Sequence, residues 1–187
     1  FLDQRENWLE IKRFADEADV LDAYCYHGLW GLHAALAGAR SVVGIDSSEA
    51  AVTQACVNAE RNGVADRCAY EKGRVEQVLD SGNTFDVIVL DPPAFAKSRR
   101  QVKKAMGLYE EINRSALKAL RPEGILITCS CSHFITRDLF LEVLKRAARS
   151  ALRPVRVLAV RGASPDHPVL PAMPETEYLK CVIVQAL

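Results

Sequence analysis

Phe85-Asp86-Val87-Ile88-Val89-Leu90-Asp91-Pro92-Pro93-Ala94-Phe95 joins an apolar run of strand length to a carboxylate and two consecutive prolines. The uninterrupted Val87 to Leu90 suits a strand covered on both faces, as in a parallel sheet packed between helices. Proline cannot donate to a sheet ladder, so the strand stops at Asp91 and the chain beyond it is stiff. In open α/β sheets ligands bind outside the carboxyl ends of the strands, which puts Asp91 at the ligand edge. The same proline pair would also serve as a plain strand stop.

Working outward, strand-length runs over 20–24, 41–45, 67–71, 85–90, 124–129, 155–160 and 178–184 alternate with helical patterns over 5–15, 29–37, 48–62, 74–79, 99–120 and 137–151. Ser48 suits a helix N-cap and Asn62-Gly63 a helix stop. Strict alternation predicts an α/β fold: a doubly wound, Rossmann-like sheet of seven strands with right-handed crossovers and helices on both faces. Between 160 and 178 lies a Pro- and Gly-bearing loop without helical period, which lets the last strand run antiparallel.

Composition sets the outer bounds. With 187 residues, 49% of them hydrophobic, the chain can bury roughly 70% of its unfolded surface as one domain. Its 24 basic and 24 acidic residues cancel, so only local clusters could favour nucleic acid. The six cysteines form no CxxC pair, which favours reduced thiols and a cytoplasmic protein. No apolar stretch reaches the ~20 residues that span a bilayer. Phe1 in place of Met reads as the start of a piece of a longer protein.

The first strand runs into Tyr24-Cys25-Tyr26-His27-Gly28-Leu29-Trp30-Gly31. Gly28 and Gly31 at a strand-to-helix turn either allow close approach of a ligand to helix amides or form an ordinary tight turn, and the spacing is not GxGxxG. About 20 residues on, the second strand ends at Asp46, where an acidic residue can accept from ribose hydroxyls or cap the helix that follows. Together they favour an adenosine-type ligand.

The chemical end has three parts. Asp91 and Phe95, held by Pro92 and Pro93, could hydrogen-bond and stack a planar base. Thr128-Cys129-Ser130-Cys131-Ser132 places Cys131 just beyond the next strand, near a helix start that could lower its pKa. Lys97-Ser98-Arg99-Arg100 opens the densest basic stretch, and Lys97, Arg99 and Arg100 are candidates for phosphate contact, or merely a solvated face. A CxC metal site lacks further ligands beyond His133, so no metal is expected. Asp166-His167-Pro168 reads as a loop His held by neighbouring backbone.

These residues resemble the ribosomal RNA large subunit methyltransferase I family, class I enzymes that form 5-methylcytosine. The resemblance rests on Phe1-Leu2-Asp3-Gln4-Arg5-Glu6-Asn7, Asp91-Pro92-Pro93-Ala94-Phe95-Ala96-Lys97-Ser98, Thr128-Cys129-Ser130-Cys131-Ser132-His133, Asp166-His167-Pro168 and Glu177-Tyr178-Leu179-Lys180. It implies S-adenosyl-L-methionine as cofactor, RNA as partner, a seven-stranded sheet with an antiparallel last strand, and an upstream RNA-binding PUA domain outside these residues. Residues 1–187 would be the methyltransferase domain, with 1–19 as a helical lead-in. By motif position Cys131 is the nucleophile and Asp91 the base-binding group, with cofactor contacts from Tyr24, Tyr26, Gly28, Asp46, Ser47, Gly73, Arg74 and Asp91. The family pattern has Thr and Gly where His27 and Leu29 stand. After the third strand it has an Asp near the adenine amino group where this chain reads Gly73-Arg74, and Arg accepts no hydrogen bond. The rival functions are methylation of a base nitrogen, which needs no thiol, and noncatalytic RNA binding. A dehydrogenase suits neither the glycine spacing nor Cys131.

Overall fold

β4 (Phe85–Leu90) lies at the middle of a seven-stranded sheet in a computed structural model that describes residues 1–187. On one side it pairs in parallel with β1 (Asp19–Ala23), which leads through β2 (Ser41–Asp46) to β3 (Cys68–Lys72) at the edge. On the other side it pairs in parallel with β5 (Leu120–Ser130). There β7 (Lys180–Ala186) inserts antiparallel between β5 and β6 (Val155–Arg161), giving the order β3-β2-β1-β4-β5-β7-β6. The antiparallel last strand expected from the loop before it is present, and that loop joins β6 to β7 as neighbouring antiparallel strands.

Alternation along the strands divides the core into two layers. Leu21, Ile88, Leu90 and Leu126 face α4 (Val75–Leu79), α5 (Val102–Ala119) and α6 (Arg137–Ala151). Val20, Val87, Val89 and Ile127 face α1 (Arg5–Trp8), α2 (Leu29–Leu36) and α3 (Glu49–Arg61). Each fully buried Leu, Ile or Val contributes about 1.5–3 kcal/mol, so the two layers fix the register of the central strands.

Most helix boundaries follow their local signals. Ser48 Oγ accepts from Ala51 N, and Gly63 takes up φ +69° beyond Asn62. Two differ. The single helix expected over 5–15 is a short α1 between 3₁₀ turns Leu2–Gln4 and Leu9–Arg13, because long-range bonds bend it: Asp3 O accepts from Ser164, and Asn7 Nδ2 donates to Gly162 O. Arg99–Gln101 is likewise a 3₁₀ turn leading into α5. β5 begins at Leu120, ahead of the expected 124, with a register shift between Phe85 and Val87 that accommodates Pro122 and Gly124. No helix is long and apolar enough to cross a membrane.

Candidate active site

β1 and β4 part company at their carboxyl ends, where the direction of the sheet connections reverses, and a cavity of about 600 Å³ opens there. Asp91, Pro92 and Pro93 form one wall and Cys131 stands beside them, so the two segments at the ends of β4 and β5 share one site. The rest of the wall comes from the β1–α2 turn, from Asp46 and Ser47 at the end of β2, and from the segment Phe1 to Trp8 folded over the strand ends. Asp3, Asp46 and Asp91 line it; no Lys or Arg does. Such a lining favours a cationic guest and disfavours polyphosphate.

Asp91 is bound from two directions. Gln4 Nε2 donates to both carboxylate oxygens at 3.1 Å, and Trp30 Nε1 donates to Oδ2 at 3.1 Å. Burial pushes its pKa up to about 6, while the Trp30 and Gln4 bonds pull it back down. Asp46 is also engaged: Oδ2 accepts from Tyr26 N at 3.0 Å and Oδ1 from Ser48 N at 2.9 Å. Ser48, not Asp46, caps α3, which leaves the remaining lone pairs of Asp46 free for the cavity. Tyr24 and Tyr26 line the cavity with φ of +64° and +49°, a left-handed conformation that side chains adopt at a cost of roughly 1–3 kcal/mol. Tyr26 stacks on His27 with ring centroids 3.7 Å apart.

Several residues sit otherwise than the sequence reading expects. At Gly28 and Gly31 a Cβ atom would collide with Tyr70, whose hydroxyl donates to Gly28 O at 3.0 Å, so packing accounts for both glycines without a ligand. Gly73 and Arg74 lie outside the cavity; Gly73 N donates to Asp46 O, and exposed Arg74 pairs with Glu76. Phe95 turns inward, its ring 4.5 Å from that of Tyr109, and so is not placed to stack a base. The thiol of Cys131 is pushed up by burial and by the neighbouring Asp91 charge, not lowered by α6, which starts only at Arg137. Lys97, Arg99 and Arg100 also lie outside the cavity, exposed on the stretch after Asp91, and none makes an ion pair.

The structure separates the two cysteines of the CxC pair. Cys129 is fully buried opposite Cys181 across the β5–β7 ladder, whereas Cys131 lies past the end of β5 and its thiol donates to Pro92 O at 3.9 Å. The serines beside Cys131 tie the loops together. Tyr109 OH contacts Ser130 Oγ and Ser132 Oγ, each at 3.0 Å, and Ala96 N donates to Ser132 Oγ at 3.1 Å. Behind them buried Lys180 donates to Ser132 O and Tyr178 O, both at 2.7 Å; burial pulls its pKa down to about 8. The Asp166 carboxylate and His167 Nδ1 lie 3.4 Å apart in a loop, and His167 N donates to Ser164 O.

Residue-by-residue reading missed Gln4 and Trp30 as partners of Asp91, and Asp22. Asp22 is fully buried, accepts from Gly31 N at 2.9 Å, and leaves Oδ1 unpartnered. Burial pushes it up to about 7. An acidic residue inside a predicted strand, nine residues before a helix glycine, was the available signal for Asp22. Gln4 had none of its own, since its partner is 87 residues away.

Comparison with known proteins agrees with this geometry. The chain is 41% identical over 190 residues to a protein of Shewanella denitrificans named ribosomal RNA large subunit methyltransferase I, with 99% of this chain and 48% of the relative covered. It is 38% identical over 192 residues to a protein of the same name from Tolumonas auensis, covering 100% and 48%. The chain thus spans about half the length of the curated relatives it matches. Among solved structures, SMU.776 complexed with SAH superposes with a TM-score of 0.87 at 21% identity, over 99% of this chain and 50% of that one. NSun6 from Pyrococcus horikoshii with SFG gives 0.71 at 16% identity, over 95% and 51%. Both share the fold. A family model described as a methyltransferase domain matches residues 15–157, from the lead-in through the cavity-bearing strands to the start of β6, and the chain belongs to that methyltransferase family.

Proposed function

We propose that this chain is the catalytic unit of an S-adenosylmethionine-dependent RNA methyltransferase that forms 5-methylcytosine in large-subunit ribosomal RNA. The observation that carries this reading is the meeting of Asp91 and Cys131 in one cavity whose charged lining is carboxylate without Lys or Arg. The curated relatives at about 40% identity bear the ribosomal RNA name. The lining suits S-adenosylmethionine: Asp46, on the cavity wall, would accept from ribose hydroxyls, and the three carboxylates would complement a sulfonium and an ammonium. When bound, the cofactor supplies an electrophilic methyl group.

The protein's part is nucleophilic and electrostatic. Cys131 would give its thiol proton to solvent and bond Sγ to C6 of the cytosine, breaking the C5–C6 double bond and placing its electron pair on C5. Asp91 would hydrogen-bond the ring and favour its protonated form, which accepts that density. Once C5 carries the methyl group, solvent would take the C5 proton, the C5–C6 double bond would re-form, Sγ would leave C6 as the thiolate, and the ring would return its extra proton to solvent. The base must leave its stack to reach a site this deep. Lys97, Arg99 and Arg100 flank the Asp91 loop and would hold the phosphate backbone.

A second reading, methylation of a base nitrogen, draws support from the raised Cys131 thiol. Cys131→Ser separates the two. With S-adenosylmethionine and ribosomal RNA as substrates, 5-methylcytosine formation should be abolished, scored by bisulfite mapping of the product. Turnover equal to wild type would sink the cysteine adduct and favour a nitrogen target.

A further inference from the structure

Asp91 sits at one end of a chain of directional hydrogen bonds that crosses the molecule. Arg161 Nε, at the end of β6, donates to Asn7 Oδ1 at 3.0 Å. Asn7 Nδ2 then donates to Gln4 Oε1 at 2.7 Å and to Gly162 O at 3.0 Å. With its carbonyl engaged, Gln4 can present only N–H to Asp91, and Nε2 reaches both carboxylate oxygens at 3.1 Å. Gln4 and Asn7 are almost completely buried, so water cannot substitute for either bond. The orientation of two amides is therefore set by one guanidinium, which has no acceptor to offer.

We propose that Gln4 is a positioning residue: locked by Asn7 and Arg161, its amide holds Asp91 as an ionised hydrogen-bond acceptor facing the cavity. This rests on the assignment of Asp91 as the base-binding group. Other titratable groups near Asp91 are Asp3 in the lead-in, Asp22 in β1, Cys129 in β5 and Cys131 beyond it. None of them donates to its oxygens; only Gln4 and Trp30 do. Donors to a carboxylate favour its charged form, so losing Gln4's donors makes Asp91 hold its proton to higher pH.

The test is a carboxyl titration of the full chain by carbon-13 NMR, without cofactor or RNA. In the wild type the Gln4 side-chain amide signals should shift with pH at the Asp91 midpoint, and amide signals indifferent to that titration would overturn the proposal. Gln4→Met, which keeps the volume and removes the donors, should raise the Asp91 midpoint by about one unit. Asn7→Asp, which can still pair with Arg161 but cannot donate to Gln4, should move it in the same direction. The acid limb of the kcat profile should move with it. Folded variants whose Asp91 midpoint stays at the wild-type value would also refute the role. The titration does not depend on which atom is methylated, and so it fails separately from the cytosine reading.

Discussion

The Asp91 loop and the Gly28–Gly31 turn leave the ends of neighbouring strands, β4 and β1, yet their polar groups are used in opposite ways. Asp91 takes its donors from Gln4 and Trp30, 87 and 61 residues away, and still faces the cavity. The glycine turn is closed against β3: Gly31 N goes to Asp22, Gly28 O takes the Tyr70 hydroxyl from 42 residues away, and Cβ atoms on Gly28, Gly31 and Gly44 would each meet Tyr70. One strand end therefore keeps its polar group facing a cavity, and the other is packed shut around an aromatic ring. Glycines at a strand-to-helix turn need not signal a ligand, since an aromatic ring can require the same absent side chain.

Three sets of substitutions sharpen this contrast. Tyr70→Ala should have the largest effect, because it empties the space the glycines have been kept small to provide. A loss of about 3–5 kcal/mol in urea unfolding is expected. A loss below about 1 kcal/mol would show that the turn does not depend on the ring. Next comes Asp22→Asn. Burial raises Asp22 to about 7 in the folded protein, so the native state binds its proton more tightly than the unfolded chain does. Its contribution to stability is present below about pH 4 and is lost as pH rises through 7. The Asn variant keeps an acceptor for Gly31 N and should be more stable than wild type at pH 8 by about 1–3 kcal/mol, with the gap closing at pH 4. A gap independent of pH would mean that the unpartnered Oδ1 is not carrying charge.

On the open side, Arg99→Ala with Arg100→Ala should change stability by no more than about 0.5 kcal/mol, as exposed and unpaired residues do. Its effect should appear in RNA binding instead. The slope of log affinity against log salt should become shallower by about 0.7 for each phosphate that the variant no longer neutralises. An unchanged slope would remove these residues from the RNA surface and leave them a solvated face.

Legibility followed the range of the interactions. Seven strands, their order of appearance, the stop at Pro92 and the Ser48 cap each depend on residues within a few positions, and all are readable from the chain. Asp91 and Cys131 are readable as strand-end residues, and the sheet then brings them to one cavity. Phe95 defeats local reading because an aromatic after a stiff loop suits stacking on a base as well as it suits Tyr109, and nothing nearby separates the two. Gly73 and Arg74 follow from family position alone; in the structure Gly73 N bonds to the backbone of Asp46 and exposed Arg74 pairs with Glu76, and neither lines the cavity.

The sequence by itself determined an alternating α/β sheet, its ligand edge, and the kinds of group placed there, because periodicity, proline geometry and capping act over a few residues. Only the tertiary structure decided that Cys131 and not Cys129 reaches the cavity, and that Gln4 orients Asp91. It likewise decided that Gly28 and Gly31 serve Tyr70. Those outcomes depend on which side chains meet across many intervening residues, and that is set by the packing of whole layers.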